Sequence, residues 1–162
     1  LLASGADKVA INTYAVENPS FISEAANKFG GQCIVVSIDV KKNNQGKYEV
    51  FTNQGKKATG LDAVEWAKKA EKLGAGEILL TSIDKEGTMA GYDLDLIKIV
   101  SEAVSIPVIA NGGAGTRQHF ADAIKIANAS AVAASSIFHF SDSNLSQVKS
   151  FLNNSGISVR PI

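Results

Sequence analysis

The sequence predicts an α/β fold in which strands and helices alternate around a parallel sheet. Apolar runs of strand length recur along the chain, as in residues 34–38. Each run is followed by an amphipathic segment of helical length, and glycines mark the ends of several of these segments. Strands that alternate with helices at this spacing are joined by right-handed crossovers, which makes the strands parallel.

The apolar runs predict five strands. Their interiors consist mainly of Val, Ile, Leu and Ala, because a parallel sheet that is covered by helices is buried. The predicted strands cover residues 8–12, 33–39, 77–83, 108–111 and 131–135.

Five helices are predicted after these strands, with boundaries that depend on capping residues. Asn18 is the predicted N-cap of the first helix, Pro19 suits its first position, and Gly30 ends it. Thr59 and Asp62 form a predicted capping pair for the second helix. The predicted helices cover residues 19–29, 61–73, 93–104, 117–127 and 145–152.

A polar insertion between the second strand and the second helix predicts a small β-hairpin. Residues 41–60 contain two turn sequences rich in Asn, Gln and Gly, at 43–46 and 53–55, on either side of the strand-like residues 47–51. The fold prediction is therefore about five βα units with one inserted hairpin.

Length and composition predict a single domain over residues 1–162 and a cytoplasmic enzyme. The 16 basic and 16 acidic side chains balance, which argues against nucleic acid or a membrane surface as a partner. No apolar run approaches the roughly 20 residues of a membrane span, and the sequence does not predict a signal peptide. Cys33 is the single cysteine, which excludes an intramolecular disulfide.

Two consecutive strand ends carry residues that suit a phosphate group. Asn111 is followed by Gly112 and Gly113, and the next strand ends in Ala134 and Ser135. Glycine lets backbone N–H groups approach a ligand closely, which a Cβ would prevent. Adjacent strand ends of this kind form the phosphate cradle after strands seven and eight of a (β/α)₈ barrel. The pattern predicts a phosphorylated small-molecule substrate.

A complete (β/α)₈ barrel has eight units and about 250 residues, whereas about five units are predicted here. The chain begins with Leu1 rather than Met, and its first residues resemble the last turn of a helix that Gly5 closes. We therefore expect the later part of a longer polypeptide, with about three leading units outside this chain.

Asp39 is the strongest candidate for catalysis because its carboxylate ends a buried apolar strand. Partial burial would raise its pKa and make it usable as a general acid or base. The alternatives are a helix N-cap or an ion-pair partner of Lys41. Thr81 ends the next strand, where its hydroxyl could bind substrate or satisfy a backbone carbonyl.

The two histidines are predicted to be structural. His119 falls within a predicted helix and His139 lies just past the last strand, without Cys, His or carboxylate neighbours at metal-ligand spacing. Neither a metal nor an organic cofactor is expected. Cys33 begins a predicted buried strand and is predicted to act as a small hydrophobe.

Motifs that run almost from end to end resemble one enzyme family. They lie at residues 7–13, 16–19, 34–39, 74–84, 87–88, 91–93, 112–115, 133–135 and 138–140. The family is the cyclase subunit of imidazole glycerol phosphate synthase, and the resemblance places this chain at the fourth to eighth units of a (β/α)₈ barrel. It implies that ammonia from a glutaminase partner converts a bisphosphorylated ribulosyl-formimino aminoimidazole carboxamide ribotide. The implied products are imidazole glycerol phosphate and aminoimidazole carboxamide ribotide.

The resemblance also implies roles for individual residues. Asp39 matches one of the two catalytic aspartates, a general acid/base for amidine breakdown and ring closure. Asn12 and Thr13 match one phosphate site, and Thr81 matches a substrate contact. The second phosphate site is matched by Asn111, Gly112, Gly113, Ala134 and Ser135.

At the opposite mouth of the barrel, the resemblance implies a path for ammonia. Lys8 and Glu77 match two charged residues where ammonia enters. Asp7 matches a contact to the glutaminase. These roles predict a heterodimer in this family.

Two residues depart from the family pattern. Glu86 stands where the family usually has aspartate, and Asn111 stands where it usually has serine. The other catalytic aspartate belongs to the first strand, outside this chain, and loss of one acid/base group costs about 10²–10⁴ in rate. We therefore expect little or no turnover by this segment alone.

Truncation predicts self-association. The strands at 8–12 and 131–135 are expected to be bare sheet edges, which pair readily with other chains. Either residues outside this chain or copies of the chain are expected to cover them.

Four alternatives to the cyclase stay open, of which a generic phosphosugar barrel such as an epimerase rests on fold analogy alone. The sister isomerase of the same pathway shares the fold, the two phosphate sites and the aspartate pair, although residues 91–93 and 138–140 favour the cyclase. A paralogue could deliver ammonia to a nucleotide-linked sugar in surface-polysaccharide synthesis. A fragment that binds phosphate but catalyses nothing is the non-enzymatic alternative.

Overall fold

A computed structural model describes residues 1–160, in which strands and helices alternate as the sequence predicts. The strands are β1 (Val9–Ile11), β2 (Ile34–Lys42), β3 (Tyr48–Thr52), β4 (Lys57–Asp62), β5 (Glu77–Ser82), β6 (Val108–Asn111) and β7 (Ala131–Val132). The helices are α1 (Thr13–Glu17), α2 (Ser20–Phe29), α3 (Ala63–Lys72), α4 (Leu94–Ser101), α5 (Arg117–Lys125), α6 (Ser136–Phe140) and α7 (Leu145–Asn154). None of the helices in this range is long and apolar enough to cross a membrane.

One open sheet contains all seven strands. Its parallel part has the order β1-β2-β5-β6-β7, and β3 and β4 extend it antiparallel from the second half of β2. The alternating α/β architecture with a mainly parallel sheet confirms the predicted fold class, part of a (β/α)₈ barrel. Within residues 1–160, β1 and β7 each pair on one side only, as expected for sheet edges.

The two faces of the sheet differ in burial. Alternate side chains of a strand point to opposite faces, and Val36, Ile38 and Val40 of β2 are fully buried on the face that the helices cover. Leu80 and Ala110 continue this core across β5 and β6. The intervening residues are half-buried and form the other face, where the polar strand ends lie.

The start of α3 differs from the prediction because Thr59 does not cap it. The Thr59 hydroxyl donates to Val50 O at 2.7 Å and accepts from Leu61 N–H at 3.2 Å, which keeps residues 59–62 in the extended strand β4. Asp62 caps the helix alone, accepting from the N–H groups of Val64 at 2.9 Å and Glu65 at 3.1 Å. The helix therefore begins at Ala63, two residues later than predicted.

The predicted N-cap at Asn18 is also wrong. Residues Thr13–Glu17 form the unpredicted helix α1, and the N–H of Asn18 donates to Tyr14 O at 2.9 Å at its end. The N-cap position of α2 is Pro19, without a side-chain cap. The second unpredicted helix, α6, begins at Ser136, and three residues separate it from the end of β7. Both are five-residue helices, too short to give a periodic sequence signal.

The inserted hairpin is confirmed as β3 and β4, and hydrogen bonds fix it and the end of β2 to their surroundings. The Tyr48 hydroxyl donates to Asp93 Oδ1 at 2.8 Å, and the N–H of Lys42 donates to Asp84 Oδ2 at 3.0 Å. At the hairpin turn, the N–H of Asn53 donates to Thr13 Oγ1 at 3.0 Å. The hairpin is thereby joined both to the end of β1 and to the loop after β5.

A carboxylate on α3 holds the turn that leads into β6. Glu71 Oε1 accepts from the hydroxyl of Ser105 at 2.5 Å, from its N–H at 2.7 Å and from the N–H of Ile106 at 3.2 Å. These bonds, led by the Ser105 hydroxyl, lower the pKa of Glu71 below its ordinary value of 4.5. Charged Glu71 therefore stabilises the folded chain.

We expect Glu71→Gln to lower the free energy of unfolding near pH 7 by up to about 1 kcal/mol, because the carboxylate is mostly exposed. A depressed folded-state pKa gives stability that is fully present above the unfolded-state pKa and is lost as pH falls through the folded-state pKa. The free energies of unfolding of the two proteins should therefore differ more near pH 7 than at a pH well below 4.5. Glu65→Gln on the same helix is the control, and an equal Glu71→Gln effect at both pH values would contradict the account.

Candidate functional site

Three polar residues form a row across neighbouring strands at the C-terminal edge of the sheet. In the parallel register, Asp39 of β2 lies beside Thr81 of β5, and Thr81 lies beside Asn111 of β6. Register neighbours point to the same face, and all three residues are half-buried. The Asn111 amide Nδ2 donates to Thr81 Oγ1 at 3.1 Å. The row lies on the face of the sheet that the helices leave open.

Asp39 is a carboxylate without a positively charged partner in the described part of the chain. The ion pairs there join Lys8 to Glu77 and Lys68 to Glu65, so Asp39 is not paired with Lys41. It is not a helix N-cap either, because β2 continues past it. Burial raises the pKa of Asp39 above its ordinary value of 3.8, as predicted, and the neighbouring Asn12 side chain lowers it by a smaller amount.

Asn12 and Thr13 lie at the end of β1, next to β2 in the sheet. The Thr13 hydroxyl accepts from the N–H of Asn53, and its own proton has only a long contact of 3.5 Å to Asn12 Oδ1. This leaves the proton free to turn towards a ligand. The supporting Asn53 was not predicted, because the contact joins residues 40 positions apart in sequence.

The small residues at the ends of β6 and β7 come together as a cradle. Gly112 and Gly113 have left-handed φ values of 96° and 103°. A Cβ on Gly113 would lie 2.3 Å from the carbonyl oxygen of Gly91, whose N–H donates to Gly113 O at 2.7 Å. A side chain is therefore excluded at this position. One concavity is lined by Glu86, Asn111, Gly112, Gly113, Ala114, Ala134, Ser135 and Ser136.

Two side chains support the cradle from behind. The buried Tyr92 hydroxyl donates to the carbonyl of Ala133 at 2.9 Å, and burial raises the Tyr92 pKa well above 10. His119 Nδ1 accepts from the N–H groups of Gly115 at 3.1 Å and Thr116 at 3.3 Å, and so caps α5. His119 is structural, as predicted. The role of Tyr92 was missed, because its partner is 41 residues away in sequence.

Lys8 and Glu77 form an ion pair at the opposite, N-terminal edge of the strands. Lys8 directly precedes β1, Glu77 begins β5, and both strands flank the first half of β2. Asp7 is exposed beside this pair. The structure thus brings together the two charged residues that the motifs single out, at the opposite end of the strands from Asp39.

The hairpin region gives positive charge to the C-terminal edge. Residues 41–60 contain five exposed lysines and one acidic residue, Glu49, whose Oε1 accepts from Gly60 N–H at 2.8 Å. A local excess of positive charge attracts anionic ligands. Across residues 1–160 there is no group of three or more His, Cys, Asp or Glu side chains that could hold a metal ion.

Comparison with protein families identifies the kind of protein that carries this site. The family model described as "Histidine biosynthesis protein" matches residues 1–144. The match includes the row of Asp39, Thr81 and Asn111, the cradle, and the Lys8–Glu77 pair. The matched segment covers most of the chain. It follows that the chain belongs to the histidine biosynthesis protein family, whose members are enzymes of that pathway.

Proposed function

We propose that this chain is the C-terminal part of the cyclase of this family. The cyclase uses ammonia to convert the bisphosphorylated ribulosyl-formimino ribotide into imidazole glycerol phosphate and aminoimidazole carboxamide ribotide. The observation that carries the proposal is the order of the strand ends. Thr13 lies at one end of the five parallel strands and Ser135 at the other, with Asp39 and Thr81 between them. Four strand spacings of about 4.8 Å separate the two ends by roughly 19 Å along the sheet, which suits a long ligand with a phosphate at each end.

In this proposal the substrate lies across the row with one phosphate at each end. The Thr13 hydroxyl and the Asn12 amide bind the first phosphate, and the cradle around Gly113 and Ser135 binds the second. Backbone N–H groups that a glycine leaves accessible suit a phosphate because they donate hydrogen bonds without a Cβ in the way. The reacting amidine then lies over Asp39 and Thr81.

Asp39 would act as a general acid/base in the proposed reaction. Amidine breakdown and ring closure both require protons to leave and return at nitrogen and oxygen atoms. Burial raises the pKa of Asp39 towards the working range, which makes the exchange of protons easier than for an exposed carboxyl. Thr81 is placed to donate its hydroxyl proton to the same part of the substrate.

Ammonia would reach the substrate from the other edge of the sheet. The Lys8–Glu77 pair lies at that edge, and the proposal assigns it to ammonia entry, with Asp7 as a contact to the glutaminase. The cyclase is favoured over the sister isomerase by residues 91–93 and 138–140, which resemble the cyclase sequence.

Turnover with and without ammonium salt tests this proposal. The chain is mixed with a polypeptide that carries the three leading βα units, which the resemblance assigns outside it. We expect both products to form from the bisphosphorylated substrate only when ammonium is present. Isomerisation without ammonium would favour the isomerase. Transfer of ammonia to a nucleotide-linked sugar would favour the paralogue, and phosphate binding without any turnover would favour the inert fragment.

We further propose that the chain by itself associates with copies of itself through β1 and β7. Both strands have an unpaired edge in the described structure, and such edges pair with other strands. Sedimentation at micromolar concentration should show a dimer or larger species. Ala10→Lys, on the exposed side of β1, should shift the chain towards monomer. A wild-type chain that stays monomeric and folded at every concentration would contradict this.

A further inference from the structure

Asn111, which departs from the family pattern, makes a specific hydrogen bond. Asn111 Nδ2 donates to Thr81 Oγ1 at 3.1 Å, between neighbouring strands and on the face that carries Asp39. Both side chains are half-buried. The amide thus acts on a residue that the proposed function places at the substrate.

The chemistry of an amide nitrogen fixes the direction of this bond. An amide nitrogen only donates, so the Thr81 oxygen must accept. The single hydroxyl proton of Thr81 is then turned away from β6. On the side away from β6, Thr81 is the register neighbour of Asp39 of β2. The open face of the sheet lies in front of these two residues. The proton is therefore directed to where the reacting part of the substrate would lie.

A serine at this position would not fix that direction. A serine hydroxyl both donates and accepts, so the Thr81 proton could point towards it as readily as away from it. An amide that presents Nδ2 has no such freedom. The difference between Asn and Ser is thus a difference in the orientation of a neighbouring hydroxyl.

We infer that Asn111 is a positioning residue that orients the Thr81 hydroxyl towards the substrate, and that it is not a ligand of the phosphate. The inference rests on the proposed function. It leaves the phosphate to the backbone of Gly112 and Gly113 and to Ser135, which line the same concavity. Asn111 acts on the substrate only through Thr81.

A double-mutant cycle of Asn111→Ala and Thr81→Val tests the inference. We expect Asn111→Ala to lower kcat about tenfold, the size of one lost hydrogen bond, with KM within about twofold of the wild type. In the Thr81→Val background, Asn111→Ala should have no further effect, because the group it orients is gone. Asn111→Ser should lie between Asn111→Ala and the wild type. If the two substitutions lowered kcat independently, so that their effects multiplied in the double variant, the inference would be overturned.

A binding readout separates this inference from the proposed function. Inorganic phosphate is titrated into the chain by NMR, and its affinity should be the same for wild type and Asn111→Ala but lower for Gly113→Ala. If the wild type binds the bisphosphorylated substrate but does not turn it over, the proposed function fails, whereas the phosphate titrations still decide whether Asn111 is a phosphate ligand. A loss of phosphate affinity in Asn111→Ala would show a direct phosphate ligand and overturn it.

Discussion

Asp39→Asn is expected to lower turnover of the bisphosphorylated substrate by about 10²–10⁴, the usual effect of removing a general acid/base. The substitution keeps the shape of the side chain but replaces the carboxyl group with an amide, which cannot exchange a proton. Substrate affinity should change little, because the proposed phosphate contacts lie elsewhere on the row. The measurement is kcat and KM in the assay with ammonium salt and the leading units.

The matched control for this variant is Asp142→Asn, an exposed aspartate in the segment between α6 and α7. It should retain wild-type kcat. If Asp39 exchanges a proton, activity should fall as the pH is lowered through the pKa of Asp39. Burial raises this pKa above 3.8. Asp39→Asn activity within a factor of a few of the wild type would remove Asp39 from the catalytic role.

Gly113→Ala is expected to lower the affinity for inorganic phosphate about tenfold or more. The new Cβ would lie 2.3 Å from Gly91 O at a φ of 103°, so the cradle backbone must move. A displaced cradle backbone loses at least one hydrogen bond to the phosphate, and a loss of about 1.4 kcal/mol corresponds to a factor of ten in affinity. Phosphate titration monitored by NMR measures the change.

Gly46→Ala is the matched control for the backbone effect. Gly46 has a similar left-handed φ of 74°, but a Cβ there meets nothing within 4 Å and the turn is remote from the cradle. It should lose about 1–2 kcal/mol of stability from the left-handed backbone alone, without losing phosphate affinity. Thermal unfolding of both variants separates the two effects. Equal phosphate affinities for Gly113→Ala and wild type would show that phosphate does not bind at this cradle.

The residues that could be predicted from the sequence are those with a local signal. Asp39 ends an apolar run, and Gly112 and Gly113 follow another. A short stretch of consecutive residues therefore suffices to predict that they lie at strand ends. The parallel order of the strands follows from their alternation with helices. Together these bring Asp39, Thr81 and Asn111 to one edge of the sheet.

The residues that could not be predicted depend on contacts between distant parts of the chain. Tyr92 with Ala133 and Thr13 with Asn53 are pairs whose partners lie on different elements. The observed start of α3 differs from the predicted one because the Thr59 hydroxyl donates across the hairpin to Val50 O and does not cap the helix. A capping motif in sequence does not show which of two competing backbone partners is closer.

An NMR titration of the chain with the bisphosphorylated substrate tests directly whether one substrate lies across the sheet. We expect the amide signals of Thr13 at one end of the row and of Gly113 and Ser135 at the other to shift together. They should follow one binding curve, with one molecule per chain and an additional shift near Asp39. Shifts at one end only, or two independent curves with different affinities, would contradict a single substrate lying across the five strand ends.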